Sequence, residues 1–106
     1  MKIDLLYFDG CPSWQAGLAN LKAALEAEGL QADIRLVRVE SNEDAERMKF
    51  LGSPSFQVEG VDWWLEQRER YDLSCRVYQT PQGLKGAPTV DMLREKIRNQ
   101  KNREQS

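Results

Sequence analysis

The chain has 106 residues, of which 41% are hydrophobic and 30% charged, with 15 basic against 17 acidic side chains. This is enough apolar material for the core of one domain and too little for two. The net charge of −2 is spread over interleaved signs, so no basic face for nucleic acid stands out, and no apolar run nears the roughly 20 residues of a membrane span.

Histidine is absent. Ser-His-Asp and Cys-His catalysis, histidine-liganded zinc and imidazole acid–base chemistry are therefore excluded. The opening Met1-Lys2-Ile3-Asp4 carries an acid inside its apolar stretch and reads as a strand, not a leader. A cytoplasmic location is the expectation, with both cysteines reduced at rest.

Ile3 to Phe8 is the first predicted strand. Five of its six residues are apolar or aromatic and both alternating faces are occupied, the mark of a strand buried on both sides. Asp9-Gly10 ends it, and Cys11-Pro12-Ser13-Trp14 follows. Trp14, Leu18, Leu21 and Leu25 then recur at spacings of four, three and four, one face of a helix. Pro12 suits its first turn, and Gly29 suits its C-terminal cap. Cys11 thus falls at a strand-to-helix turn. Unpaired amides and the positive end of the helix dipole favour a thiolate there, so Cys11 is expected to be an accessible, reactive thiol.

Asp33 to Glu40 alternates imperfectly and reads as a second, edge strand, joined to the first by a parallel crossover. Ser41 or Asn42 caps the next helix, with Asp44 completing a box-like pattern. Ala45, Met48 and Leu51 form its inner face, and Gly52 is expected to stop it. Ser53-Pro54 opens the third strand, Ser55 to Glu59. Glu59-Gly60 is a hairpin signal, and Val61, Trp63 and Leu65 alternate as a fourth strand. On that alternation Trp63 and Trp64 point to opposite faces. One ring is then core, and the other is exposed or covered by residues 66–87 or by a second copy in a homodimer. Glu66 to Ser74 has no period and reads as an exposed loop. Cys75-Arg76-Val77-Tyr78 fits either a short strand or an ordered loop, and Thr80-Pro81-Gln82-Gly83 is turn chemistry. Pro88 or Thr89 begins the last helix, with Val90, Leu93 and Ile97 inward. Residues 99–106 are polar and are expected to fray.

The order β-α-β-α-β-β-α, a Cys-Pro turn after the first strand, and Gly52-Ser53-Pro54 before the third together resemble the thioredoxin-like superfamily. The Cys11-Pro12 pair is similar to the glutaredoxin branch, and the chain also resembles small single-domain bacterial members of the superfamily. The resemblance covers residues 1–65 and 88–98. It implies an α/β fold with a mixed four-stranded sheet and helices on both faces. The domain would be residues 1–98, with 66–87 as an insertion before the last helix. It also implies that Pro54 is cis, presenting the backbone of Ser53 beside Cys11, where an extended substrate could pair with it. Two positions depart from the family pattern. Trp14 stands where the second cysteine of Cys-x-x-Cys would be. Gly52-Ser53 replaces the threonine-valine that commonly precedes the proline in glutaredoxins, so glutathione dependence is left open.

With Trp14 in the resolving position, Cys11 needs a second thiol. A fourth strand running back toward the end of the first would start residues 66–87 near Cys11, so Cys75 could resolve a mixed disulfide if its Cα lies within about 7 Å. The competing reading is a core cysteine beside Val77. Pro12, Trp14, Ser53, Pro54 and Arg76 complete the substrate-facing set. Helix-face packing competes for Trp14, and Arg76 is a candidate for stabilising the thiolate or meeting an anionic substrate. The leading expectation is a thiol-disulfide oxidoreductase acting on a thiol or disulfide, with Cys11 as nucleophile and no cofactor or bound metal, since the electrons travel through sulfur. Two alternatives stand beside it: a non-catalytic interaction module, and capture of a soft metal by Cys11 and Cys75.

Overall fold

A computed structural model describes residues 1–105. In chain order it has β1 (Lys2–Tyr7), α1 (Trp14–Ala27), β2 (Asp33–Arg38), α2 (Asn42–Met48), β3 (Ser55–Val58), β4 (Val61–Asp62), β5 (Tyr78–Thr80), β6 (Gly83–Lys85) and α3 (Val90–Gln105). The first four strands form a mixed sheet in the order β2-β1-β3-β4, and β5 and β6 form a separate hairpin. β2 lies parallel to β1, while β3 runs antiparallel to both β1 and β4. The doubly apolar first strand is accordingly central, and the imperfectly alternating second strand is an edge.

Two cores lie on the two faces of the sheet. On one face Ile3, Leu5, Phe56 and Val58 meet Leu21 and Leu25 of α1 and Leu93 and Ile97 of α3. On the other, Leu6 and Val39 meet Ala45 of α2 and Phe50. The alternation of β1 explains the division: Ile3 and Leu5 share a side, and Leu6 points the other way. The expected α/β architecture, with a four-stranded mixed sheet between helices, is present. Among the described residues no helix is long and apolar enough to cross a membrane.

Several local expectations are met with identifiable chemistry. Gly29 follows the last turn of α1 with a positive φ of 65°, the left-handed conformation that glycine adopts without penalty. Ser41 caps α2, its Oγ accepting from the Asp44 amide at 3.1 Å. Thr89 Oγ1 accepts from the Met92 amide at 3.1 Å at the start of α3.

Others are corrected. α2 ends at Met48 and not at Gly52, because Lys49 takes the left-handed turn and leads Phe50 and Leu51 into the core. β4 stops at Asp62 and not at Leu65. The Asp62 side chain accepts from the Trp64 amide at 2.7 Å, turning the chain out of the ladder. Trp63 and Trp64 therefore do not split between faces. Both pack on the Phe56 core, and Tyr78, from within 66–87, meets Trp64 edge-on at 5.2 Å between ring centroids. Residues 66–74 carry no helix or strand, in line with the expected loop, and the turn chemistry at 80–83 joins β5 to β6 in a hairpin that begins at Tyr78. Residues 99–105 continue α3 instead of fraying, with an i,i+4 bond from Gln100 to Glu104; Ser106 lies outside the described residues.

One tie between helices was hidden in an apparent flaw. Glu28 sits at the C-terminal end of α1, the unfavourable end of its dipole. Its carboxylate is satisfied across the helix pair by Arg94 at 2.7 Å, with Arg98 at 3.8 Å. The hydrogen bond from Arg94 holds the Glu28 carboxyl below its ordinary range. A carboxylate whose folded value is depressed stabilises the fold above its ordinary value, and this contribution is lost as pH falls through the lowered one. Glu28→Gln is expected to flatten the acid side of the stability–pH curve while leaving neutral-to-alkaline behaviour unchanged in form. Urea denaturation across the acid range measures this.

Candidate functional site

The site is built where the C-terminal end of β1 meets the loop before β3. Phe8 carries the chain out of β1, and the Cys11 amide returns to the Phe8 carbonyl at 3.2 Å. This tight turn aims the Cys11 side chain at the loop ahead of β3. The Ser53-Pro54 bond in that loop is cis, as expected. Ser53 is buried, and its Oγ accepts from the Phe8 amide at 3.3 Å. Cys11 Sγ donates to the Ser53 carbonyl at 3.4 Å.

Cys11 itself departs from the expectation. It is only 1% exposed, and α1 begins at Trp14, three residues further on. The thiol is enclosed, and its proton is directed at a carbonyl and not at solvent. Residues 74–76 provide the cover. Ser53 and Cys75 form a parallel β-bridge: the Ser53 amide donates to the Ser74 carbonyl at 2.8 Å, and the Arg76 amide donates to the Ser53 carbonyl at 3.0 Å.

Cys75 is the exposed member of the pair, and both cysteines are free thiols. The two residues nonetheless lie together at Ser53, Cys11 Sγ on its carbonyl and Cys75 bridged to its backbone. A hydrogen bond with Cys11, reinforced by desolvation, pushes the Cys75 thiol up from 9.0 to about 11. The Cys75 thiol thus neighbours a thiol that itself donates to the Ser53 carbonyl. Of the two readings of Cys75, the buried core cysteine is excluded by its exposure. A metal held here would have only these two thiolates, because among the described residues no three metal-ligating side chains gather.

The remaining expected residues fall into two groups. Pro12 is exposed beside Cys11, and Pro54 is buried below it. Trp14 stacks on Tyr7 at 4.2 Å and packs against the core, so its helix-face role is the one observed. Arg76 is a correction. It is 5% exposed and reaches neither solvent nor an anionic substrate. Its Nη1 donates to Asp62 at 2.8 Å and to Ser55 Oγ at 3.2 Å, and its Nη2 donates to the Trp64 carbonyl at 2.6 Å. Its guanidinium also lies 4.9 Å from the centre of the Tyr78 ring. Arg76 anchors the covering segment through these bonds.

The chain matches no family model, no curated protein and no solved structure.

Asp62 and Tyr78 were not singled out by sequence reasoning, and Gly52 was read only as a helix stop and as part of the turn before Pro54, yet all three hold the site. Tyr78 Oη donates to the Pro54 carbonyl at 2.6 Å, and burial pushes its phenol up, keeping it a neutral donor. Gly52 has a φ of 112°. A Cβ there would sit 2.9 Å from Arg76 Cβ and 3.0 Å from its Cα, so the covering segment lies directly on this backbone. The positive φ was foreshadowed only by the glycine itself.

Two outcomes follow from this geometry. Asp62→Ala leaves the Arg76 guanidinium buried without its partner and is expected to cost about 3–5 kcal/mol by chemical denaturation. Asp62→Leu combined with Arg76→Met should recover most of that loss. Alkylation of Cys75 should rise about tenfold per pH unit up to an inflection near 11, and Cys11→Ala should bring the inflection down toward 9.0, because it removes the largest cause of the shift. Iodoacetamide kinetics followed by peptide mass mapping read both.

Proposed function

We propose that this protein is a thioredoxin-like thiol redox protein in which Cys11 and Cys75 cycle between two thiols and one disulfide. The observation that carries the reading is that both cysteines meet at Ser53, Cys11 Sγ on its carbonyl and Cys75 bridged to its backbone. Trp14 removes the usual partner from the first turn of the helix, and Cys75, distant in sequence, stands next to Cys11 in its place. The sheet order, the antiparallel β3 and the cis proline before it support the thioredoxin-like assignment.

The exposures favour roles that are the reverse of the sequence expectation. Cys75 is open to solvent and Cys11 is not, so Cys75 meets the substrate and Cys11 resolves. The Cys75 thiolate attacks one sulfur of a disulfide, the substrate S–S bond breaks, and one substrate thiolate leaves. Cys11, after losing its proton, attacks the Cys75 sulfur and expels the second substrate thiolate. Two protein thiols become one disulfide, and one substrate disulfide becomes two thiols. The reverse reaction begins with an external thiolate attacking the open Cys75 sulfur, with Cys11 as leaving group.

The elevated Cys75 value sets the pace. With its thiol pushed up by its place beside Cys11 and by desolvation, Cys75 carries little thiolate at neutral pH. The greater nucleophilicity of a more basic thiolate offsets only part of this. The chain is accordingly a slow reductant near neutrality, and its rate increases with pH.

The test is oxidation of the reduced protein with a small disulfide followed by mass mapping under non-reducing conditions. The expected product is one intramolecular Cys11–Cys75 crosslink in a chain that keeps its native circular dichroism. Cys75→Ser should leave Cys11 unreacted in the folded state. A protein whose two thiols persist, or which crosslinks only between molecules, would refute the reading.

A further inference from the structure

We propose that the chain fills its own substrate groove: residues 74–76 occupy the backbone edge beside Cys11, so that Cys75 exchanges with small thiols and disulfides met from solvent and not with extended peptides. This inference rests on the redox reading above and gives it a substrate class.

The groove in question is the backbone of Ser53. A peptide adding to a sheet edge needs a free N–H and a free C=O opposite it. Ser53 has one N–H donor and a carbonyl with two lone pairs. The N–H is taken by the Ser74 carbonyl at 2.8 Å, one lone pair by the Arg76 amide at 3.0 Å, and the other by Cys11 Sγ at 3.4 Å. Nothing at Ser53 remains for an incoming strand. The expectation that an extended substrate pairs there is therefore not met, because this chain supplies that strand itself, in parallel orientation.

The occupying segment is not loosely laid down. Arg76 lies against Gly52 with no room for a Cβ between them. Its guanidinium is buried against Asp62, Ser55 and the Trp64 carbonyl, and two residues on Tyr78 bonds the Pro54 carbonyl. A peptide entering the groove would have to lift a buried ion pair into solvent. Cys75 projects from the outer side of the same segment, and Val77 beside it is likewise exposed. A reagent therefore reaches the open sulfur without touching Ser53, and it is selected by its own sulfur chemistry and size.

The test uses the reduced wild-type chain and two oxidants that share a leaving group. One is glutathione disulfide. The other is the mixed disulfide of glutathione with an unstructured peptide of about ten residues carrying a central cysteine. Oxidation of the Cys11–Cys75 pair is followed by mass at mildly alkaline pH, and amide hydrogen exchange at Ser53 and Arg76 is measured with and without the reduced peptide. The expected result is a peptide-to-glutathione rate ratio at or below one, no saturation with peptide, and protected Ser53 and Arg76 amides that the peptide does not alter. A peptide advantage overturns the inference while leaving the redox reading intact. Such an advantage would be roughly thirtyfold, the factor that two backbone hydrogen bonds at about 1 kcal/mol each supply. Faster exchange at either amide on adding peptide also overturns it. If neither disulfide oxidises the pair, the redox reading falls, and the substrate class falls with it.

Discussion

The arrangement depends on one buried ion pair, Arg76 with Asp62 at 2.8 Å. Each partner does more than neutralise the other. One oxygen of Asp62 takes the Trp64 amide and ends β4, and the other takes Arg76. Arg76 also reaches Ser55 at the start of β3 and the Trp64 carbonyl. A buried pair of this kind contributes little net stability compared with well-packed apolar residues. Its value here is placement. From Cys75 to Thr80 the side chains alternate outward and inward, with Arg76, Tyr78 and Thr80 buried. A slip of one residue would turn Arg76 to solvent and Cys75 into the core. The carboxylate waiting at Asp62 selects one register, and that register sets one sulfur beside the other.

The thiols are correspondingly unequal. Cys11 is held by a tight turn at the end of the central strand and is sealed from solvent; Cys75 is held by an anchored segment and is open. The open sulfur holds its proton more tightly beside its neighbour, and the neighbour donates its own hydrogen bond to a carbonyl. This differs from a helix-terminus thiolate, in which amides point at a single exposed sulfur. Here the enclosed thiol donates to a carbonyl, and the exposed thiol beside it is pushed up.

What could be read from the sequence divides along a physical line. Features fixed by near neighbours were legible: the doubly apolar first strand, the four-three-four spacing of α1, the left-handed Gly29, the Ser41 cap and the Glu59-Gly60 hairpin. Features fixed by distant partners were not. Trp63 and Leu65 continue a strand pattern, but the Asp62 side chain breaks the ladder before they can join it. Arg76 looks like a surface arginine until its acid is found fourteen positions earlier. The inward alternation of residues 76, 78 and 80 was present but was disguised by the charge in its first slot. The polar end of α3 has few apolar contacts to advertise a helix, yet the helix continues to Gln105. Cys11 was placed in the right turn, but its enclosure comes from a segment more than sixty residues away.

The double acceptance at the Ser53 carbonyl has a thermodynamic consequence for the proposed couple. When a bond forms between the two sulfurs, the Cys11 proton is gone, and a carbonyl shut away from water retains only the Arg76 amide as donor. The dithiol form thus holds a hydrogen bond that the disulfide form lacks. At about 1 kcal/mol for such a bond, and with two electrons transferred, this raises the midpoint potential by about 20 mV. The backbone of a single serine thereby biases the molecule toward accepting electrons.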